Sequence, residues 1–272
     1  MNIGYVFTNF NNSSFTRGVI ESLEGDGSSK SNFVVIVDNK SDTEDIDELR
    51  LIEREFPHVK IIYNNENIGY FRGLNVGIKY LRNAGLTLDC IVIGNNDLVF
   101  PANFHDRMNA CRERLSEYAV ISPDLLTLDG VHQNPHVRRR ISTSRKYIWD
   151  IYYSSYSLAL LIRYIAGATR PFTARKDCHS HQEGGLIYMG YGACYILTPL
   201  FFRHFEELQA PTFLMGEEMF LTRQLMDRGL GIFYEPGILV RHHDHATISK
   251  LPDKKLWEIS RESHQLLRKL NI

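Results

Sequence analysis

Two hydrophobic periods alternate through the first hundred of this chain's 272 residues, and that alternation restricts the fold more than any other feature. Apolar runs at 3–7, 33–37, 59–63 and 89–93 have the length and β-branched content of buried strands. Between them, apolar residues recur three and four apart: Phe15, Val19 and Leu23; Ile46, Leu49, Ile52 and Phe56; Phe71, Leu74, Ile78 and Leu81. Each set falls on one helical face. The repeated strand-helix unit predicts an α/β fold. Its central sheet is mostly parallel and flanked by helices, and ligands bind at the carboxyl ends of the strands.

Past residue 101 the pattern predicts a helix bearing Phe104, Met108, Cys111 and Leu115, then a short strand at 119–122. Regular alternation stops there. Residues 136–180 open with Arg138, Arg139, Arg140, Arg145 and Lys146 and continue into an aromatic and aliphatic stretch at 147–165, which reads as a helical insertion. A strand at 190–197, a helix from Pro199, a helix start at Gly216-Glu217-Glu218 and a hairpin-like segment at 231–240 follow. Leu256, Ile259, Leu266 and Leu270 mark a terminal helix. The chain thus divides into 1–125, a variable segment at 126–184, a second half at 185–250 and the helix 251–272.

A formal charge of -1 supplies no basic field for nucleic acid and no acidic excess for disorder. Cys90, Cys111, Cys178 and Cys194 form no CxxC pair and fit free thiols in a reducing compartment. The start MNIGYVFTN has no basic leader, and no run reaches the roughly 18 apolar residues that span a bilayer, so the expected location is the cytoplasm. The basic and aromatic residues of the insertion suit an interfacial membrane segment at the inner face of the membrane. They equally suit a homodimer interface or a core helix.

The strand ends carry the polar residues. Thr8, Asn9 and Asn11 follow the first strand, without the GxGxxG of a dinucleotide site. Small polar residues before a helix can bind a base, ribose or phosphate, or simply cap the helix. Asp38 ends the second strand, and Ser41-Asp42-Thr43-Glu44 reads as a capping box just after it. Asn67 and Gly69 precede Gly73, Asn75 and Gly77, glycines that suit close approach of a ligand or tight helix-sheet packing. Asn95-Asn96-Asp97 ends the apolar strand at 90–93, where an oxygen ligand could hold Mg²⁺ or Mn²⁺ against a diphosphate. His242, His243, Asp244 and His245 lie in extended chain, where adjacent side chains diverge. Cys178, His179, His181 and Glu183 have a zinc-like look, but a single cysteine in an unpatterned loop is more often incidental.

Taken in order, Val37-Asp38-Asn39-Lys40-Ser41, Asn67-Ile68-Gly69 with Gly73, Asn75 and Gly77, Asn95-Asn96-Asp97, Gly190-Tyr191-Gly192-Ala193, Gly216-Glu217-Glu218 and His242 resemble glycosyltransferase family 2, with its GT-A fold, and its bacterial rhamnosyltransferase-like members in particular. The resemblance covers about 1–125 and 185–250. It implies a nucleotide-sugar-binding first half, with Asp38 on the nucleotide, and an acceptor-binding, catalytic second half. It also implies ribose and metal contact at Asn95-Asn96-Asp97, with Asn95 replacing the family's first acid. His242 is the implied second metal ligand, and Glu218, beside Glu217, the catalytic base. Phe220 stands where a further acid often follows.

These residues supply a base, a leaving-group site and, at Gly190 and Gly192, close approach of acceptor and donor. With them, the resemblance implies an inverting transfer of sugar from a nucleotide-sugar to a glycan or lipid-linked glycan in bacterial surface polysaccharide or glycoconjugate synthesis. Two rivals remain: an inactive nucleotide-sugar-binding protein, suggested by the thinned metal motif and Phe220, and a nucleotidyltransferase. The latter predicts a glycine-rich basic loop after the first strand, and residues 8–13 hold neither glycine nor lysine.

Overall fold

The computed structural model describes residues 1–25, 32–173, 181–243 and 253–269. In chain order the elements of the first half are β1 (Ile3–Asn9), α1 (Ser13–Glu24), β2 (Asn32–Asp38), α2 (Thr43–Glu55), β3 (Val59–Tyr63), α3 (Tyr70–Asn83), β4 (Cys90–Asn95) and β5 (Leu98–Val99). Next come α4 (Phe104–Ala110), α5 (Arg112–Glu117), β6 (Val120–Thr127), α6 (Thr143–Ser154), α7 (Tyr156–Thr173), β7 (Gly185–Ile187) and β8 (Cys194–Leu197). The last are α8 (Pro199–His204), α9 (Glu217–Met226), β9 (Ile232–His242) and α10 (Asp253–Lys269).

One nine-stranded sheet runs in the order β3-β2-β1-β4-β8-β6-β9-β5, with β7 paired to β9. It is parallel from β3 through β4, the part built by the alternating units. Beyond β4 directions mix: β8 is antiparallel to β4 and β6, while β6 and β9 are parallel. Successive β1 side chains enter opposite layers, as a strand's two-residue period demands. Ile3, Tyr5 and Phe7 pack with Val19, Ile20, Leu49 and Phe104, whereas Val6 packs with Leu74, Ile78 and Leu225. Helices therefore cover both faces.

Three sequence expectations need correction. The helix expected over Phe104 to Leu115 is two, α4 and α5, broken at Cys111. The strand expected at 190–197 begins only at Cys194, because a turn at Gly192 and Ala193 precedes it. The hairpin expected at 231–240 is one strand, β9, whose register against β6 jumps from Glu235 to Leu239. Pro236-Gly237 reads as a turn in sequence; in the sheet it lies within a bulge, which spares Pro236 a ladder hydrogen bond.

A third apolar cluster joins Val137, Ile141, Met189, Met219, Phe220 and Leu267, with Trp149 against it. It fixes α6, α9 and α10 together, and it accounts for Phe220: that side chain is core.

Candidate functional site

At the carboxyl ends of β1, β2 and β4 the polar residues close on one another. Asn9 Nδ2 donates to Asp38 Oδ1 (2.9 Å), Ser41 Oγ (3.1 Å) and Asp45 Oδ2 (2.7 Å). Asn9 Oδ1 accepts from Thr16 Oγ1 (2.9 Å) and Asn96 Nδ2 (3.0 Å). Asp38 also accepts from the Ser41 hydroxyl (2.5 Å) and amide (3.0 Å). Burial by itself would raise the Asp45 carboxyl, but donors from Ser13, Asn9 and Ser41 hold it below its ordinary value. Helix α2 is capped by Asp42, whose side chain accepts from Asp45 N, so the expected cap Ser41 is free to serve this network.

Three residues expected at the donor site lie inside this network. Asp38, Asn9 and Asn96 expose 0%, 1% and 5% of their surface, and their polar atoms are spent on holding the strand ends together. Asn11, at φ +52°, donates its amide to Ser41 Oγ (2.8 Å) and accepts from Asp42 N (2.8 Å). Thr8 and Asn95 stay half-buried at the rim, with Thr8 paired to Asn95 across β1 and β4.

The α3 motif is mostly packing. Asn75 bridges the backbone of Leu208 from both ends of its amide, donating at 2.8 Å and accepting at 2.9 Å, so it anchors that loop. A Cβ on Gly77 would collide with Val6, and one on Gly73 would press Asn39 and Thr8 at 3.0 Å. Gly69, at φ +89°, leaves room for the Phe213 carbonyl, and Asn67 Oδ1 accepts from its amide at 3.0 Å. Helix-sheet and helix-loop contact, not ligand approach, requires these glycines.

Asp97 and His242 are brought together. β5 pairs with the end of β9, which sets Leu98 opposite His242 and leaves Asp97 Oδ1 3.2 Å from His242 Nε2. Both residues are buried, at 4% and 2% exposure, and Asp97 Oδ1 makes no hydrogen bond. His242 Nδ1 lies 2.7 Å from Gln133 Oε1. An amide oxygen only accepts, so Nδ1 donates to Gln133, and Nε2 faces the Asp97 carboxylate. A carboxylate oxygen and an imidazole nitrogen facing each other are the ligand types a divalent cation takes, and Gln133 holds the ring from its other nitrogen. Among the described residues no group of three or more His, Cys, Asp or Glu side chains forms a metal cluster. His181 and Glu183 are described, whereas Cys178, His179, Asp244 and His245 lie outside the described residues. Cys90 and Cys194 are free and buried, and burial pushes the Cys90 thiol up to about 12.

Glu217 and Glu218 open α9 after two residues in the left-handed region, Met215 (φ +71°) and Gly216 (φ +85°). The turn is held from outside: Ser263 Oγ donates to Leu214 O at 2.9 Å. Glu217 is 5% exposed, its Oε1 makes no hydrogen bond, and burial followed by repulsion from Glu218 pushes its carboxyl up to about 8. Burial raises Glu218 too, partly countered by its own amide and that of Gly192. A Cβ on Gly192 would collide with Glu218 Oε1, so the glycine gives the acid its seat. Gly190 lies instead against Ser122 and Tyr195.

The Gly190–Gly192 segment links the parts. Tyr70 OH donates to Gly192 O at 2.9 Å, and Asn134 Oδ1 accepts from Tyr191 N at 2.9 Å. The Tyr191 ring stands 6.0 Å from His242, while Ala193 O accepts from Asn95 N at 3.0 Å. Glu218, Gly192, Tyr191, His242, Asp97 and Asn95 thus form one chain of neighbours. Asp45 and Gln133 escaped the sequence reading, and Ser41 and Tyr191 stood in its motifs without a site role of their own. Only Asp45 carried a signal, as an acid in the first turn of α2.

No family model matches the sequence, and no curated protein matches it. Solved structures do resemble the fold. GalNAc-T7 with UDP, GalNAc and Mn²⁺ aligns over 89% of this chain and 43% of its own, at 13% identity and a TM-score of 0.55. The mannosyltransferase PcManGT from Pyrobaculum calidifontis, in complex with GDP-Man and Mn²⁺, aligns over 97% and 61%, at 13% identity and 0.56. S. aureus TarS 1-349 in complex with UDP-GlcNAc aligns over 95% and 64%, at 11% identity and 0.55. This chain therefore spans less than two thirds of each. At such identities the likeness is one of fold, the GT-A architecture implied by the motifs.

Proposed function

We propose that the protein is an inverting glycosyltransferase, similar to family 2 and its rhamnosyltransferase-like members. In this reading it moves a sugar from a nucleotide-sugar donor to a hydroxyl of a glycan or lipid-linked glycan, in surface polysaccharide or glycoconjugate synthesis. The observation that carries the reading is the acid pair at the left-handed turn, with Glu218 seated on Gly192 one residue from the tyrosine that faces His242. Further support comes from the fold, which is shared with proteins solved with UDP, GDP-Man and Mn²⁺.

The acceptor oxygen attacks the anomeric carbon as its proton passes to Glu218, whose raised affinity for protons suits a base. The bond from that carbon to the diphosphate breaks on the opposite face, inverting the centre. Asp97 and His242 are the residues that would hold Mg²⁺ or Mn²⁺, which when bound supplies positive charge to the departing diphosphate. Gln133 holds the His242 ring from its other nitrogen. Thr8, Asn11, Asn67 and Asn95 line the donor side, while Asp38, Asn9 and Asn96 fix its shape. Glu217 shares the proton affinity of the pair, and Gly192 sets the acid's position. Peripheral membrane contact would bring the enzyme to a lipid-linked acceptor.

A panel of UDP-, dTDP- and GDP-sugars, screened for thermal stabilisation with and without Mn²⁺, identifies the donor. Turnover with that donor then separates an enzyme from an inactive binding protein. If no sugar nucleotide stabilises the protein, the reading fails.

A further inference from the structure

Of the seventeen large apolar side chains that the described residues expose, eight lie between residues 147 and 165, on α6 and α7. They include Tyr147, Ile148 and Ile151 on one helix and Leu161, Tyr164 and Ile165 on the other, with Tyr164 78% exposed. Helix α6 buries no residue at all. The opposite side of this helical pair is taken by α10: Trp257 Nε1 donates to Tyr152 O at 3.3 Å, and Tyr153 stacks on His264 at 4.7 Å. Among the described residues, α10 covers one side of the pair and the apolar face is left exposed.

Its charge is one-sided. Residues 136–167 hold six Lys or Arg and one Asp in a chain whose formal charge is -1. The one acid within α6 and α7, Asp150, is turned to α10, where His264 and Arg268 meet it at 2.8 and 2.9 Å. Arg139, Arg140 and Arg145 are exposed beside the apolar face. Lys146 is held below its ordinary value by burial and by the nearby cations Arg140 and Arg268. No described helix is long and apolar enough to cross a membrane.

We propose that the α6–α7 face docks on an anionic lipid surface, its apolar side chains entering one leaflet and its arginines meeting lipid phosphates. Exposed aliphatic and aromatic residues edged with cations match the acyl-headgroup boundary of such a membrane. A second copy of the chain fits poorly, because pairing this face with itself stacks cations on cations. Trp149 of α6 packs on the cluster that includes Met219, the neighbour of Glu218, so docking brings the membrane within one packed layer of the acid. Delivery of a lipid-linked acceptor rests on the transfer reading; the docking itself does not.

Flotation of the full chain with phosphatidylcholine vesicles, with or without one quarter phosphatidylglycerol, tests this. The protein floats with the anionic vesicles only, and less in high salt. Arg139→Gln, Arg140→Gln and Arg145→Gln each weaken binding about fivefold, and together roughly a hundredfold. The exposed double change Ile148→Glu with Leu161→Glu abolishes it while circular dichroism and sugar-nucleotide stabilisation stay as in the parent. Absence of flotation, equal binding to neutral vesicles, or a solution dimer that the double change dissociates overturns the proposal. Donor stabilisation is read separately, so failure of docking and failure of the transfer reading are distinguishable.

Discussion

The two acidic regions near the strand ends are built on opposite principles. Around Asp38 and Asp45 every carboxylate meets several donors, and Asn9 alone joins residues from β2, α1, α2 and the tip of β4. Around Glu217 and Glu218 two acids adjoin in a buried turn, one oxygen makes no hydrogen bond, and both carboxyls are raised. Satisfied buried polar groups fix a shape, whereas unsatisfied ones store free energy. The first region is saturated and fixed in shape, while the second holds buried acids with raised proton affinity, as the proposed transfer requires of its base.

The largest expected effect tests the chemical side. Glu218→Gln lowers kcat about 10³-fold, within the usual range for losing a general base, while donor stabilisation persists. Near-parental turnover would remove Glu218 from the reaction and with it half of the contrast.

The architectural side predicts instead a loss of stability. Asn9→Ala strands the acids it serves and costs about 3 kcal/mol, read from urea denaturation. A cost under about 0.5 kcal/mol, the scale of an ordinary surface change, would mean that the network does not hold the strand ends.

Glu217→Gln moves stability the other way, with a pH signature. The native carboxyl titrates at about 8 against an ordinary 4.5, so from 4.5 upward the unfolded chain releases a proton that the native chain keeps. Native stability therefore falls as pH rises through that window, and below it the group contributes nothing. The glutamine variant escapes this loss and gains much more stability at pH 8 than at pH 5. An equal gain at both values contradicts the strained-acid account. The smallest effect belongs between the regions: Gln133→Leu releases the His242 ring and weakens Mn²⁺-dependent stabilisation about tenfold. Unchanged Mn²⁺ response would detach Gln133 from the cation pair.

The parallel half of the fold was legible because each strand and helix there carries its own hydrophobic period. β9 was not: Pro236-Gly237 looks the same in a turn as in a bulge, and only pairing with β6 distinguishes them. Asp97 stood out by its place after a buried strand, and Glu218 and His242 by their match to the family's motifs. Asn75, equally conspicuous, proved to be a loop anchor because its partner, Leu208, lies 133 residues away.

Local pattern by itself determined the strand-helix order, the polar strand ends and the acids opening α9, since propensity and periodicity act over a few neighbouring residues. Tertiary structure alone decided which polar groups are saturated and which are left wanting. Burial and hydrogen bonding depend on partners that the chain brings together only when it folds, and so Asp38 closes inward while Glu217 holds its proton.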